Sequence, residues 1–469
     1  MSSKDLNVII LAAGKGTRMN SQLPKVAHQT LAGPMISTVL NAACGLKPKT
    51  VAVVTGFKRE VVEQVAASSK PSDFSGQLLF AVQDQQLGTG HAVKVALDQL
   101  KENFVKDSGS ITLILYGDTP LLSTDLLKSF LDFHSTNKND LSIITANATP
   151  NSAYGRIIRS QDGSVSKIIE RKDCSEAQAL ITEVNSGIYL VDTNLLIESI
   201  SKIKSTNAQK EYYLTDIVEI AVSSKKIVKA FLSENSDVLQ GVNSVSDLSL
   251  VNRVIMNKKC EELLISGVQI LDPNSVYIEP SVQIGQGSII GPNTQIKGST
   301  VIGQRVTIEG SAFIVDSQIG DDCSLKFGLR IEKTTIKNHV SVGPFAHLRP
   351  DTILEDDVKI GNFVETKKAH VQKGAKANHL TYLGDASIGQ NSNIGAGTIT
   401  CNYDGVKKSK TTIGKDVFIG SNSSLVAPVI IEDGATVGAG SVITKTIQEN
   451  SLAFTRAPLT IKKDYRKRG

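Results

Sequence analysis

From about residue 280 an aliphatic residue returns every six positions: Ile284, Ile290, Ile296, Ile302, Ile308 and Ile314. The phase slips and resumes with Ile336, Val342, Leu348, Leu354 and Ile360. A last run reads Ile413, Ile419, Leu425, Ile431, Val437 and Ile443. Glycine often follows directly, as at Gly285, Gly303, Gly414, Gly420 and Gly438. A period of six is neither helical nor the alternation of a half-buried strand. It fits a coil of three short strands per turn, with one inward aliphatic per face and tight corners that need small residues. The repeat predicts a hexapeptide β-helix over about 267–454. Aromatic residues are only 5% of the chain and tryptophan is absent, which suits a repetitive interior filled by aliphatics.

The first half reads differently. Apolar runs at Val8–Ala13, Val51–Val54 and Leu113–Tyr116 alternate with segments of helical pattern, which predicts a parallel sheet covered by helices. Between the halves, Ser244 stands three residues before Asp247 as in a capping signal. Leu248, Val251 and Ile255 follow at helical spacing, so a connecting helix is expected over 245–264. At 469 residues the chain has room for two or three domains. The expected division is 1–243, a linker at 244–265, the β-helix at 266–456 and a tail at 457–469. The tail carries Lys462, Lys463, Arg466, Lys467 and Arg468. It reads as a solvated basic end, with binding of an anionic ligand as the sharper alternative.

Composition removes several classes of function. A formal charge of +5 is small for this length and leaves no nucleic-acid footprint. No stretch approaches the roughly 18 apolar residues of a membrane span. The opening Met1-Ser2-Ser3-Lys4-Asp5 lacks the basic-then-apolar layout of a secretory signal. Five cysteines (Cys44, Cys174, Cys260, Cys323, Cys401) lie far apart with no C-x-x-C pair, which argues against zinc and against a disulfide framework. The expected compartment is reducing, hence cytoplasmic.

The densest chemical signal follows the first strand: Leu11-Ala12-Ala13-Gly14-Lys15-Gly16-Thr17-Arg18-Met19, then Pro24-Lys25. A glycine turn after a strand exposes backbone N–H groups to a phosphate, and a helix start adds a favourable dipole. It is not the dinucleotide fingerprint, because Met19 stands where the third glycine belongs. Nor is it a Walker loop, because Gly16 follows Lys15. Lys15, Arg18 and Lys25 remain, three cations that suit a triphosphate attacked at its α-phosphorus. This stretch resembles the signature of the sugar-1-phosphate nucleotidyltransferases. The resemblance continues through Gln83, Gln86–His91, Tyr116-Gly117-Asp118, Tyr154–Ile157, Ile169-Glu170, Val184–Gly187 and Gly241–Asn243. Joined to the β-helix, nearly the whole chain resembles the family of bifunctional N-acetylglucosamine-1-phosphate uridylyltransferases / glucosamine-1-phosphate acetyltransferases.

That resemblance implies an α/β, Rossmann-like nucleotidyltransferase domain followed by a left-handed parallel β-helix of hexapeptide repeats. Arg18 and Lys25 are implied as catalytic cations. Leu11, Ala12, Ala13, Gly14, Gln83, Gly88 and Thr89 are implied to contact the uridine part of UTP, with Tyr116 and Gly117 in the same set. Gly155, Glu170 and Asn185 are implied to hold the hydroxyls and amide of N-acetylglucosamine. Asp118 lies just past an apolar strand, where open α/β sheets bind ligands. The resemblance makes it a Mg²⁺ ligand with Asn243 as the second, and Mg²⁺ suits one carboxylate, one amide oxygen and substrate phosphate oxygens.

In the second half, polar residues between 361 and 404 interrupt the six-residue phase, and 401–410 reads as a loop excursion. Acetyl transfer to an amine needs a base, an anion pocket and a groove for coenzyme A. His379 can be the base, since histidine is poised near neutral pH, and it matches the family's H-L-T-Y-L-G-D segment. Glu365 is its expected orienting partner. Arg349, Lys367, Tyr382 and Asn393 match the sugar-phosphate contacts, and the charges of Arg349 and Lys367 suit phosphate. Ala396, Asn402, Tyr403, Ser421, Ala439 and Arg456 are implied to bind acetyl-CoA, Asn402 and Tyr403 also matching sugar-phosphate contacts. Cys401 reads as packing, because direct attack on a thioester needs no enzyme thiol.

The resemblance thus implies two reactions. Glucosamine-1-phosphate is acetylated by acetyl-CoA, and UMP then passes from UTP to N-acetylglucosamine-1-phosphate with release of pyrophosphate. It also implies a homotrimer, with no nucleic-acid or membrane partner. The departures are His347 where an arginine is usual, Lys210 where a glycine is usual, and a tail with Tyr465 but no tryptophan. One alternative is a single-activity sugar nucleotidyltransferase with a regulatory β-helix; another is a non-enzymatic binding subunit on the same two folds. Arg349, Lys367, His379 and Asn402-Tyr403 speak against the first, and the Gly14–Arg18 loop, Lys25 and Asp118 against the second.

Overall fold

The computed structural model describes residues 6–104, 109–150, 152–235, 237, 240–463 and 465. The opening Met1–Asp5 and the tail residues Arg466, Lys467 and Arg468 lie outside the described residues. The chain divides into two compact units between Ile255 and Met256, inside the helix Val245–Ile265.

The first unit is built on a nine-stranded sheet. Across it the order is Val228–Leu232, Leu141–Asn147, Glu183–Asp192, Ile111–Tyr116, Leu6–Leu11, Thr50–Thr55 and Gln77–Val82. The last four strands are parallel, whereas Glu183–Asp192 runs antiparallel to both its neighbours. The apolar runs are buried, apart from Tyr116 at the end of its strand, because both sheet faces are covered. Val8, Ile10, Val51, Val53, Leu113 and Leu115 pack on one side with Ile36, Leu40 and Phe130. Ile9, Ala52, Val54 and Ile114 pack on the other with Val93, Ala96 and Ile217. The parallel strands Leu6–Leu11 and Ile111–Tyr116 therefore end together, and their following loops carry Gly14–Arg18 and Asp118.

The cap expected at Ser244 is present and reciprocal: Ser244 Oγ accepts from the N–H of Asp247, and the Asp247 carboxylate accepts from the N–H groups of Ser244 and Asn243. The first turns of this helix pack Leu248, Val251 and Ile255 on Met19, Met35 and Val242.

The second unit is three parallel sheets of 11, 10 and 9 short strands, the left-handed β-helix of hexapeptide repeats expected from the period. Each strand pairs with the strand one coil later, as in Ile290↔Ile308↔Leu325 and Ile296↔Ile314↔Ile331. The phase slip has a simple cause. From Ile314 to Ile319, and again from Ile331 to Ile336, one side of the coil is a residue shorter, while all four side chains stay buried. The polar stretch after 361 does not interrupt the coil either. Its inward positions are Thr366, Val371, Ala377, Leu383, Ile388 and Ile394, all buried, so the coil stays closed although a threonine and an alanine replace larger aliphatics and the outward side chains turn polar.

The corners carry residues at positive φ, among them Asn293, Asp316, Asp322, Asp357 and Asn391. For most side chains this backbone costs roughly 1–2 kcal/mol, least for Gly, Asn and Asp. Burying an Ile side chain returns about 1.5–3 kcal/mol. A corner and the aliphatic it serves are therefore of comparable size. The expectation of small corner residues holds only in part, since Lys333, Phe345, Phe363 and Leu380 also adopt positive φ.

One buried group in the first unit contributes to its acid sensitivity. His134 is buried, its Nδ1 lies 2.8 Å from Ser142 Oγ, and burial pushes its pKa down to about 4. A depressed histidine adds stability that is present above its unfolded value and is lost as pH falls through the folded value. Thermal unfolding of the first unit should therefore fall between pH 6.5 and pH 4, by about 3 kcal/mol at the lower end. His134→Gln should flatten that slope; an unchanged profile of Tm against pH in the variant would refute the assignment.

Candidate active site

In the first unit a cleft of about 610 Å³ opens beyond the ends of the central strands. Its wall includes Leu11, Ala12, Ala13, Gly14, Arg18, Lys25, Gln83, Gly88, Thr89, Tyr116, Asp118, Gly155, Glu170, Asn185 and Asn243. Two expected residues stand back from it. Gly117 is not on the wall; its N–H donates to Leu11 O. Lys15 turns outward, its Nζ over the Phe57 ring. Nor is there a helix start behind the glycine loop: Thr17–Met19 is a single 3₁₀ turn, ended by Asn20 at φ 47°. The loop's backbone amides, rather than a dipole, are what it can present to a phosphate. Gly16 is obligatory there, because its φ is 66° and a Cβ would collide with the Lys25 side chain.

Lys25, Asp118 and Asn243 form the centre. Lys25 Nζ donates to Asp118 Oδ2 and, at 3.2 Å, to Asn243 Oδ1. The lysine and aspartate side chains are 15% and 14% exposed. Asp118 follows its strand, and Asn243 is held by the cap at Asp247 and by Val242, whose N–H donates to Asp118 O. Two oxygens from distant segments thus converge on one cation. Among the described residues no group of three His, Cys, Asp or Glu side chains could hold a metal. One carboxylate and one amide oxygen do fit Mg²⁺, which keeps waters and phosphate oxygens as its remaining ligands.

Around this centre the polar groups are already engaged. Gln83 is buried, donates to Gly88 O and lies 2.9 Å from His91 Nδ1. Asn185 donates to Tyr189 Oη and accepts from the N–H of Gly187. Glu170 accepts from Thr215 Oγ1, and burial pushes its carboxyl above the usual range. Arg156 is wholly buried and donates to the carbonyls of Tyr154, Pro150 and Ser152, which shapes the loop carrying Gly155. Thr119, Ala153 and Glu211 also line the cleft; beyond adjacency to quoted motifs, the sequence carries no signal for them.

In the second unit the expected residues fall on two sheets. Lys367 and Tyr382 lie on one, and Arg349 just beyond it, with Arg349 Nη1 2.8 Å from Glu365 Oε1. His379 and Asn393 lie on the neighbouring sheet. Glu365 therefore serves Arg349, and His379 Nδ1 meets Asn362 Oδ1 at 2.8 Å instead. The excursion after Cys401 folds on itself: Tyr403 bridges Lys408, Asn402 donates to Asp385, and Asp404 accepts from the N–H groups of Val406 and Lys407. It brings in a residue for which no motif gives a signal, Lys408. Lys408, and then Arg349, pull the Lys367 ammonium below the usual lysine range, with Asp385 opposing. The surplus of positive charge is the signal of an anion site.

His379, Ala396, Ser421 and Ala439 share a geometric position. Each precedes a corner residue at positive φ (Leu380, Gly397, Asn422 and Gly440), and backbone N–H groups link these corners coil to coil. Four residues scattered over the sequence thereby form one edge, with Arg456 beside Gly438 near its far end. Among the departures, His347 Nε2 lies 3.2 Å from Glu332 Oε2, and Lys210 adopts φ 55°, a conformation natural to the glycine it replaces.

Fold and sites together define a nucleotidyltransferase domain fused to a hexapeptide-repeat acyltransferase. Residues 7–240 match the nucleotidyl transferase family, and residues 410–445 match the hexapeptide repeat of succinyl-transferase. The chain is 43% identical over 463 residues to the bifunctional protein GlmU of Pelobacter propionicus, covering 99% of this chain and 98% of that protein. Identity is 45% to the Streptococcus pyogenes protein of that name (98% and 97% covered) and 47% to that of Thermosipho melanesiensis (96% and 95%). The chain belongs to this GlmU family: it is a bifunctional enzyme of UDP-N-acetylglucosamine synthesis.

Lys210→Gly should relieve the strained corner and raise stability by up to about 1 kcal/mol. Denaturant titration of the two proteins measures it, and a destabilised variant would show that a contact of the Lys210 side chain outweighs the strain.

Proposed function

We propose that the cleft around Asp118 is the uridylyltransferase site and that the edge carrying His379 is the acetyltransferase site. The domains in this reading are 1–243 and 266–456, joined by 244–265. The convergence of Asp118 and Asn243 on one cation carries the first assignment. Mg²⁺ held by these two oxygens would draw together the phosphates of UTP and the sugar phosphate and offset their charge. Arg18, Lys25 and the Gly14 loop amides bind the triphosphate and stabilise charge building on the α-phosphate. Gln83, Gly88 and Thr89 hold the uridine side, and Gly155, Glu170 and Asn185 the sugar. Orientation places the sugar-phosphate oxygen in line with the α-phosphorus, and pyrophosphate leaves as the new P–O bond forms.

At the second site Arg349, Lys367 and Lys408 bind the phosphate of glucosamine-1-phosphate, with Tyr382 and Asn393 against the sugar. His379 takes a proton from the amine as nitrogen bonds to the thioester carbonyl; the C–S bond breaks and coenzyme A leaves. Ala396, Ser421 and Ala439 leave room for the pantetheine arm along their edge, and Arg456, Asn402 and Tyr403 complete that groove. Lys367 and Tyr382 lie on a different sheet from Asn393, and Phe327, Phe345, Phe363 and Leu380 leave an exposed apolar edge beside His379. Both observations support a homotrimer in which neighbours share the site. No helix among the described residues is long and apolar enough to cross a membrane, and cytoplasmic work is consistent with free, widely spaced cysteines.

Asp118→Ala should abolish UTP-dependent pyrophosphate release and leave coenzyme A release near wild type; loss of both in a folded variant would refute separate sites. Co-refolding His379→Ala with Asn402→Ala chains should restore part of the acetyl transfer that each lacks alone. A species of one chain's mass with full acetyl transfer would end the trimer reading.

A further inference from the structure

The environment of His379 is more tightly specified than a base at a coil edge requires. The two longest strands among the described residues of the coil are Lys359–Asn362 and Lys376–His379, four residues each. They pair in parallel with Asn362 opposite His379. Each is followed by a corner residue at positive φ, Phe363 at 56° and Leu380 at 51°, and the N–H of Leu380 donates to Asn362 O at 3.0 Å. Between the two strands a Cβ on Gly361 would overlap the carbonyl of Asn378, so only glycine permits this approach. The result is a hydrogen bond of 2.8 Å between Asn362 Oδ1 and His379 Nδ1. The nearby carboxylate, Glu365, is committed to Arg349.

We infer that Asn362 is the positioning residue that sets the tautomer of His379, an inference that rests on reading His379 as the base of acetyl transfer. An amide oxygen can only accept. The hydrogen of the neutral ring therefore sits on Nδ1, and Nε2 keeps the lone pair that takes the amine proton. A neutral acceptor does this without the negative charge that would favour the imidazolium, a form unable to act as a base. Without Asn362, Nε2 carries the hydrogen in part of the population, and that part is inactive.

The test uses the full chain, with coenzyme A release followed against glucosamine-1-phosphate concentration and pH. Asn362→Ala should lower kcat about tenfold, the lower end for loss of a partner that orients a functional histidine, with KM for the sugar phosphate little changed. Asn362→Asp keeps an acceptor and should recover most of that rate at high pH. Its carboxylate stabilises the imidazolium, so the acid limb of its pH profile should move to higher pH. Wild-type kcat and pH profile in Asn362→Ala, alongside an inactive His379→Ala, would overturn the inference and leave the base reading intact. So would a loss that Asn362→Asp recovers at no pH. A His379→Ala protein within a few fold of wild type would overturn the base reading itself.

Discussion

The hydrogen bonds between successive coils govern the second unit. Because each strand pairs in parallel with the strand one coil later, mostly 17 or 18 residues on and 25 where the 401–410 excursion intervenes, any residue is stacked on its counterpart one turn away. A side chain that departs from its rung must break pairing on both sides. The interior needs only small to medium side chains, mostly aliphatic with an occasional threonine, whereas the exterior is free to vary. That division explains how the outside can turn polar between 361 and 404 while Thr366, Ala377, Leu383 and Ile394 keep the coil closed.

The first unit solves a different problem, bringing oxygens from residues 118 and 243 to one point. Parallel strands bring their loops to a common edge, and this places Asp118 beside the Gly14 loop. Asn243 arrives by another route, through the cap at the start of Val245–Ile265. The carboxylate of Asp247 therefore acts twice, starting the helix and anchoring the backbone of Asn243.

Much of this is legible in the residues. The six-residue period depends only on which side chains face inward, so the β-helix is readable from spacing. The cap at Ser244 is readable because capping is local. Expectations that depend on neighbours distant in sequence fare worse. Lys15 resembles Arg18 and Lys25 in the sequence, but Phe57 draws it away. Glu365 stands where a partner for His379 is expected, but Arg349 holds it. Asn362 and Lys408 give no signal in the sequence, because their significance comes from coil stacking and from the fold of an excursion. The apparent slips and interruptions of the repeat are one-residue shortenings of a side, a threonine and an alanine at inward positions, polar outward residues and the excursion at 401–410, and the strands pair coil to coil across all of them.

The edge formed by His379, Ala396, Ser421 and Ala439 has a consequence for how such a protein can vary. Strand spacing in a sheet is about 4.8 Å, so these positions mark off equal steps like the graduations of a ruler, about 14 Å from first to last. A whole coil inserted before Phe327 leaves every graduation where it was. A coil inserted between His379 and Ala439 shifts the far end by one full division against any extended ligand laid along it. Length can therefore be added to this protein with little effect at one end of the scale, while the measuring part admits change only in the residues that mark it.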